Sequence, residues 1–302
     1  MANTEEQKIT LGLALSGGVA RGIAHIGVLK ALEEHDLVPD FISANSSGAV
    51  IGSLYAFGMK PEQIRDLATT IRWFDISGLA ISKMGLLSND DIRKFMEKHI
   101  GDSKIEDSPI PLAIMTTDIS TGEKVVLREG QVSQAIMATT CIPGIFIPKP
   151  INGRLLVDGA IVENIPVSPL LEMGADVIVG VNLNFPRKFQ QPDGLVDTFL
   201  NAMSISVDMV STFQTKHVVD VMIGLDLAHY PRTGVGNAWE LYAEGYRGGM
   251  LAVKKIKAVI KKKQPSSLKK LTQKLKDRRT RETPDQTQDD SDESSTKMLP
   301  SP

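Results

Sequence analysis

Residues 9–44 read ITLGLALSGGVARGIAHIGVLKALEEHDLVPDFISA, and this stretch decides the fold. Its first seven residues predict a short buried strand, and a glycine-rich turn follows them. Apolar residues at helical spacing then lead to a second predicted strand at 38–44. A strand, a glycine loop, a helix and a strand form a βαβ unit, whose right-handed crossover requires a parallel sheet with helices on its faces.

The pattern downstream extends this α/β arrangement. Helical spacing or capping residues predict further helices at 48–57, at 61–73, after the cap at 88–91, at 196–217 and at 237–261. Apolar runs predict strands at 110–117, 124–127, 175–183 and 219–225, the first two of them joined by a turn. No repeat recurs at a fixed period.

Composition restricts the class of protein. The chain has 302 residues, enough for one large α/β domain, and its net charge of −2 argues against a nucleic-acid-binding protein. The single cysteine, Cys141, has no intramolecular partner, and we expect a buried, unreactive thiol. The polar N-terminus predicts neither a signal peptide nor a membrane span, so the expected location is cytoplasmic.

The C-terminal segment differs in charge. Thirteen Lys or Arg and one acid lie between 254 and 281, and six acids and no base lie between 282 and 293. Such blocks do not bury enough apolar area to fold alone, so we expect a folded domain at 1–261 and a disordered tail at 262–302.

Apolar residues within the basic segment allow two interpretations. They recur at helical spacing among lysines, at Ile256, Val259, Ile260, Leu268, Leu271 and Leu275. One interpretation is a terminal helix that partly docks on the domain, which the sequence favours. The other is a surface helix attracted to anionic headgroups, which would give peripheral contact with a membrane.

The strongest local motif is Ala44-Asn45-Ser46-Ser47-Gly48, between the second strand and a helix of small residues. In a nucleophile elbow the strand turns sharply into the helix and presents the serine hydroxyl above the sheet. The usual pattern is G-x-S-x-G, and here alanine occupies the first position. The alternative is a plain helix N-cap, which the same polar residues form well.

The glycine loop at 17–22 predicts an anion site. Its backbone N–H groups are free to bind either a phosphate or the oxyanion of a tetrahedral acyl intermediate. The spacing matches neither a dinucleotide fingerprint nor a Walker A loop. The alternative is a tight turn without a ligand.

Asp158-Gly159 follows a short apolar run, where a carboxylate can act as general base for a serine. An Asp-Gly pair is also common in turns. Among the five histidines, His229 alone lies late in the chain and in a loop, as a triad would require, and His25 is expected to pack inside the first helix. A dyad without histidine therefore stays open.

Together these elements resemble the patatin-like phospholipase family, including the bacterial relatives of the neuropathy-target-esterase catalytic domain. The family pattern is G-G-x-x-R-G after the first strand, G-x-S-x-G after the second and D-G-G or D-G-A far downstream. This chain has GGVARG at 17–22, ANSSG at 44–48 and DGA at 158–160, in that order. HIGVL at 25–29, TDISTG at 117–122 and ATTCIPG at 138–144 are similar to bacterial members as well.

The resemblance implies a three-layer α/β/α sandwich with a mainly parallel central sheet, and a serine hydrolase that cleaves acyl esters of (lyso)phospholipids or related lipids. Ser46 would be the nucleophile and Asp158 its base, with neither a metal nor a cofactor. The alternatives are a lipid transacylase using the same dyad and a non-catalytic lipid-binding or regulatory protein.

The resemblance also assigns the glycine loop. The backbone amides of Gly17, Gly18 and Val19 would form the oxyanion hole, and Arg21 would hold that loop or contact a substrate phosphate. Val19 stands where the family often has glycine, and Ala44 replaces the elbow glycine; both departures motivate the non-catalytic alternative.

Overall fold

The computed structural model describes residues 8–68, 78–82, 85–186, 188–189, 191–232 and 236–264. The strands are β1 (Leu11–Leu15), β2 (Phe41–Ala44), β3 (Gly78–Ser82), β4 (Gly85–Ser88), β5 (Leu112–Asp118), β6 (Lys124–Leu127), β7 (Lys149–Ile151), β8 (Arg154–Asp158), β9 (Val177–Asn182) and β10 (Val221–Gly224). The helices are α1 (Ala24–Glu33), α2 (Ser46–Ala56), α3 (Pro61–Ala68), α4 (Asp90–Ile100), α5 (Val132–Thr139), α6 (Ala160–Glu163), α7 (Ser168–Glu172), α8 (Leu195–Thr215) and α9 (Ala238–Lys263). Short 3₁₀ turns cover Val19–Ile23 and Ile105–Asp107.

The central sheet is mixed. Within the described residues, β10, β9, β1, β2 and β5 run parallel as neighbours in that order. Strands β6 and β8 pair antiparallel with β5, and β7 pairs antiparallel with β8. The predicted βαβ unit is confirmed by β1, α1 and β2, since β1 and β2 pair in parallel.

Both faces of the sheet are covered. Leu13 and Leu15 of β1 belong to the larger core, which also contains buried residues of α1, α2 and α9. Ala14 points to the opposite face, as alternation along a strand requires, and packs in a second cluster with Leu170 of α7 and Ile178 of β9. Helices on both faces give the expected three-layer α/β arrangement.

The edges of β5 explain how distant parts of the chain meet. At Ile114, β5 pairs with Ala44 of β2 on one edge and with β6 on the other. At Thr116, β5 pairs with Asp158 of β8 and again with β6. Because β6 occupies one edge at both positions, β2 and β8 must share the other edge. They run towards each other there, so their carboxyl ends meet two residues apart along β5.

Helices α1 and α9 approach closely through glycines. A Cβ added to Gly27 would lie 2.0 Å from the carbonyl oxygen of Tyr242, and one added to Gly245 would lie 1.8 Å from that of Ala24. Only a residue without a side chain allows the two backbones this contact. The packing ties the last helix of the domain to the first.

Most predicted elements are found close to their expected positions. The antiparallel pair β5–β6 and the strands and helices after 175 are confirmed. The predicted helix at 61–73 is described as far as Ala68, and its last residues lie outside the described residues. The hairpin β7–β8 was missed, because its strands are only three and five residues long.

The interpretation of the basic segment as a docked helix holds for its described part. Ile256 of α9 is fully buried in the larger core, and Val259 and Ile260 pack against it. Lys263 donates to the Asp176 carbonyl oxygen over 2.6 Å. These three apolar residues pack on the protein. Helix α9 continues two residues into the predicted tail, to Lys263, and Leu268, Leu271, Leu275 and the rest of that tail lie outside the described residues.

Candidate active site

Ser46 occupies a strained elbow between β2 and α2. Its φ is 48°, in the left-handed region that residues with a Cβ adopt rarely and at a cost. Two residues later, a Cβ on Gly48 would lie 2.6 Å from the carbonyl oxygens of Leu15 and Ser16. Glycine at that position therefore lets the start of α2 approach the end of β1.

Ala44 does not disturb the elbow. It is a buried residue of β2, paired with Leu15 and Ile114, and its φ is not positive. The left-handed backbone in this motif falls on Ser46, two residues later. Alanine in place of the usual elbow glycine thus leaves the expected turn intact.

A threonine holds the backbone of Ser46. The Ser46 amide donates to the Thr139 hydroxyl over 2.8 Å, and that hydroxyl donates to the Met115 carbonyl oxygen over 2.6 Å. Both bonds are buried, which makes them costly to leave unmade. The last residue of α5 therefore connects the elbow to β5.

Asp158 ends β8 beside Ser46. Its carboxylate Oδ1 accepts a hydrogen bond from the Ala160 amide at 2.9 Å. Burial raises the pKa of Asp158 to about 6, although the Ala160 amide and then the nearby Ser46 hydroxyl act to lower it. The carboxylate is thus more basic than an exposed aspartate and still ionised at neutral pH.

The glycine loop after β1 faces the same space. The Gly17 amide donates to Asn164 Oδ1 over 3.1 Å, while none of the described residues accepts a hydrogen bond from the amides of Gly18 or Val19. Val19 has a φ of 53°, which is unusual for a β-branched residue and matches a position where glycine is common. Two amides are therefore available to an oxyanion, and the third anchors the loop.

Arg21 is turned away from solvent and binds the loop before α9. Its guanidinium donates to the Ala228 carbonyl oxygen at 3.2 Å and to the Tyr230 carbonyl oxygen at 2.7 Å. Burial, and then the nearby charge of Arg232, lower the pKa of Arg21 to about 10. These bonds fit the first of its two expected roles, holding the loop.

An open cleft brings these groups together. It spans about 790 Å³, part of which is open to solvent, and is lined by all six residues singled out from the sequence, Gly17, Gly18, Val19, Arg21, Ser46 and Asp158. Helix α8 lines it with the apolar side chains of Leu200, Met203 and Val207 and with the polar residues Ser204 and Asp208. The arrangement suits a ligand with a polar reacting group and an apolar chain.

The histidines take no part in this cleft. All five lie within the described residues, and none lines it. His25 is fully buried, and its Nε2 donates to the Ser16 carbonyl oxygen over 2.8 Å. Burial lowers the pKa of His25 to about 4, so the ring is neutral and supports the start of the glycine loop, as expected for a packing residue.

Cys141 is buried and unreactive, as predicted. Burial raises the pKa of its thiol to about 12, with the negative charge of Asp158 acting in the same direction. Across the described part of the chain, no group of three or more His, Cys, Asp or Glu is placed to hold a metal ion. None of the helices in that part is long and apolar enough to cross a membrane.

Three residues of the site were not singled out from the sequence. Thr139 lies in ATTCIPG, a stretch that carried the resemblance but no assigned role. Asn45 donates to the Asn164 carbonyl oxygen over 2.6 Å and so ties the elbow to the residue that holds Gly17. Arg232 lines the cleft next to Arg21, and no local motif marks it.

Fold and site together define an α/β protein with a serine elbow beside a buried carboxylate. The family model described as patatin-like phospholipase matches residues 13–171, which is more than half of the chain. The chain therefore belongs to the patatin-like phospholipase family.

Similar proteins are known in bacteria and fungi. An uncharacterised NTE family protein of Mycobacterium tuberculosis is 37% identical over 181 residues, which cover 58% of this chain and 49% of that protein. A protein named lysophospholipase NTE1 from Yarrowia lipolytica is 33% identical over 179 residues, covering 57% of this chain and 12% of that protein. The chain thus matches about half the length of the mycobacterial relative and far less of the fungal one.

A solved structure, VipD from Legionella pneumophila, aligns with 83% of this chain and 67% of its own, with a TM-score of 0.49 and 15% sequence identity.

Proposed function

We propose that this protein is a serine acyl hydrolase that cleaves carboxylic esters of (lyso)phospholipids or related lipids. The observation that carries the proposal is the placement of the Ser46 hydroxyl and the buried Asp158 carboxylate in one cleft, next to two unoccupied backbone amides. Family membership and the name of the Yarrowia relative support a lysophospholipid or phospholipid as substrate.

In the first half-reaction Asp158 removes the hydroxyl proton of Ser46, and Oγ attacks the ester carbonyl carbon. The amides of Gly18 and Val19 donate to the oxyanion that forms, an interaction worth ~10²–10³-fold in rate for each donor. Collapse of the tetrahedral intermediate breaks the ester C–O bond. The leaving alcohol or lysolipid takes the proton from Asp158, and the acyl group stays on Ser46.

In the second half-reaction Asp158 removes a proton from water, which attacks the acyl-enzyme. The intermediate collapses to a fatty acid, and Ser46 regains its proton. The pKa of Asp158, raised by burial to about 6, supports this role, because general bases are most effective when their pKa is close to the working pH. The apolar wall of Leu200, Met203 and Val207 would hold the acyl chain.

The test combines labelling with turnover. Wild-type protein should react with a fluorophosphonate ester and release fatty acid from lysophosphatidylcholine, and Ser46→Ala should do neither. Ser47→Ala is the matched control, because Ser47 is the buried neighbour that lies against Gly22 rather than Asp158. Loss of labelling in Ser47→Ala with retention in Ser46→Ala would contradict the assignment of the nucleophile.

The same experiment separates the alternatives. A non-catalytic lipid-binding protein would not label at all, whereas a transacylase would label but transfer the acyl group to an added alcohol or lysolipid. Mass spectrometry of the products distinguishes transfer from hydrolysis. Ala44 and Val19 were the two differences from the family pattern that suggested a non-catalytic protein. The backbone at Ala44 is regular, so the first of these differences leaves the elbow unchanged, which favours the catalytic proposal.

Peripheral membrane contact through the basic C-terminal segment remains a proposal for the part beyond the docked residues of α9. Deleting residues 265–302 should weaken binding to anionic vesicles at low salt, where screening is weakest. Unchanged binding would show that residues 265–302 do not contribute to contact with the membrane.

A further inference from the structure

Helix α8 has two faces of different character, and among the described residues one of them is left exposed. Its inner face supplies the apolar wall of the cleft. Its outer face exposes large apolar side chains along the whole helix, with Leu195 87% exposed at one end and Phe213 78% exposed at the other. Between them Phe199, Ile205, Met209 and Val210 are also exposed.

These side chains form a stripe, in which the small exposed residues Ala202 and Ser206 lie between Phe199 and Met209. Positions 195, 199, 209 and 213 fall on one side of a helix with 3.6 residues per turn, and Ile205 and Val210 flank them. From Leu195 to Phe213 the stripe is about 27 Å long at 1.5 Å per residue. An exposed apolar surface of this extent marks an interaction site rather than ordinary solvent-facing residues.

The charges on α8 indicate which partner the stripe fits. The only ionisable residues of α8 are Asp197, near its start, and Asp208, which is buried and accepts a hydrogen bond from Asn184. The exposed face is therefore uncharged from 198 to the end of the helix. Exposed Lys216 follows it immediately, so a positive charge adjoins a neutral apolar face. That pattern complements the acyl region and the anionic headgroups of a lipid bilayer.

The stripe is continuous with the proposed substrate cleft. Met203, half-buried in the cleft wall, lies one helical turn from Phe199 on the outer face. An acyl chain that moves around α8 between these residues would stay in contact with apolar side chains. One face of α8 thus lines the cleft, and the adjoining face is exposed on the outer surface.

We propose that the exposed apolar face of α8 inserts into the surface of an anionic lipid bilayer and that the protein draws its lipid substrate from that bilayer. The second half of this proposal rests on the proposed function, whereas the first half is a binding property that needs no turnover. Binding is therefore measured in the Ser46→Ala background, so that it succeeds or fails independently of catalysis.

The binding experiment uses full-length protein and sedimentation with vesicles of phosphatidylcholine and phosphatidylglycerol in a 3:1 ratio. The double variant Leu195→Gln/Phe213→Gln should bind at least tenfold more weakly than the parent. Leu251→Gln is the matched control, because Leu251 is a leucine of α9 that is 75% exposed outside the stripe. Binding by the double variant equal to the parent, or an equal loss in Leu251→Gln, would overturn the proposal.

A second measurement addresses the alternative occupant, another copy of this chain. Light scattering after size exclusion should give the same mass for the parent and the double variant. A parent dimer that the double variant converts to monomers would assign the stripe to self-association instead.

With Ser46 restored, the double variant should lose hydrolysis of vesicle lipid by the same factor as binding and keep its rate on a short-chain ester that is soluble as a monomer. Equal loss on both substrates would contradict interfacial docking and indicate damage to the cleft. Absence of turnover in every form would count against the proposed function alone, because the vesicle measurement stands without it.

Discussion

The backbone amide of Ser46 donates a hydrogen bond to the hydroxyl of Thr139, which in turn donates to the carbonyl oxygen of Met115 on β5. Ser46 has a left-handed backbone, and its amide sits at the start of α2, where no intrahelical acceptor exists. Thr139 thus supplies the partner that the elbow requires, and its own position is fixed by the sheet.

Replacing Thr139 by valine should therefore lower both stability and activity. The change keeps the shape but leaves the buried amide unpaired, at a cost of about 1–3 kcal/mol, and it frees the elbow to shift. We expect a lower urea midpoint and a reduced kcat on a soluble ester. Thr139→Ser retains the hydroxyl and should restore most of both.

The control for that series is Thr140→Val. The Thr140 hydroxyl, just after α5, donates to the Ile136 carbonyl oxygen and accepts a hydrogen bond from the Asn89 side chain, whereas the Ser46 amide donates to Thr139. An activity loss in Thr140→Val as large as in Thr139→Val would show that α5 as a whole, rather than this hydrogen bond, supports the elbow.

Asp158→Asn should abolish activity and stabilise the fold at neutral pH. Burial raises the pKa of Asp158 to about 6, above the value of 3.8 expected in the unfolded chain. Between pH 3.8 and about pH 6, Asp158 is protonated in the native state and ionised in the unfolded state, so the free energy of unfolding falls as pH rises. Above pH 6 the ionised Asp158 lowers the free energy of unfolding by about 3 kcal/mol. Asparagine has no charge and removes this loss.

Urea unfolding at pH 7.5 and at pH 4 checks this prediction. The variant should be more stable at pH 7.5, and its advantage should shrink towards pH 4. In the wild type, kcat/KM should fall tenfold per pH unit below about pH 6. A variant that is less stable than the wild type at pH 7.5 would contradict the prediction that the buried, ionised Asp158 destabilises the fold.

His25→Gln should change the acid side of the stability profile. Burial lowers the pKa of His25 to about 4, below its ordinary 6.5. As pH falls through this window the unfolded chain gains a proton that the native state excludes, so the wild type loses stability, by up to about 3 kcal/mol. Glutamine does not titrate there.

Unfolding free energies at pH 7.5 and pH 4.5 are compared for the two proteins. Asp158 is present in both proteins, so its contribution to the pH dependence cancels in the difference between their unfolding free energies. The gap between wild type and variant should move in favour of the variant on acidification, and a gap independent of pH would mean that the buried ring is protonated or solvated.

Gly245→Ala should destabilise the domain through helix packing. The new methyl group would lie 1.8 Å from the Ala24 carbonyl oxygen, so α1 and α9 must separate. Overpacking of this kind costs about 1–3 kcal/mol, visible as a lower melting temperature. Gly236→Ala is the matched control, since its Cβ meets nothing within 4 Å, and it should change stability by less than about 0.5 kcal/mol.

The sequence motifs marked residues that the fold brings together, but they did not mark every strand of the sheet. Ser46, Asp158 and the glycine loop are marked by short motifs, because an elbow and a close backbone approach restrict residue type at fixed positions. All of them line one cleft. The strands β7 and β8 carry no such restriction, and three to five residues give too little periodicity to recognise.

Contacts made by single side chains across the fold were beyond prediction. Thr139 meets Ser46 across 93 positions, and Asn164 meets Gly17 across 147. Neither residue differs locally from many other polar residues near a helix end. The exposed stripe of α8 was invisible for a different reason, since a helical pattern of apolar residues does not tell which face the rest of the protein covers.

The meeting of β2 and β8 along one edge of β5 has a consequence for biosynthesis. Ser46 is synthesised early, but Asp158, the base proposed for it, follows 112 residues later on a strand that pairs antiparallel with β5. A nascent or partly folded chain therefore carries the hydroxyl without the carboxylate. On the proposed mechanism, attack on esters begins only once the sheet is complete.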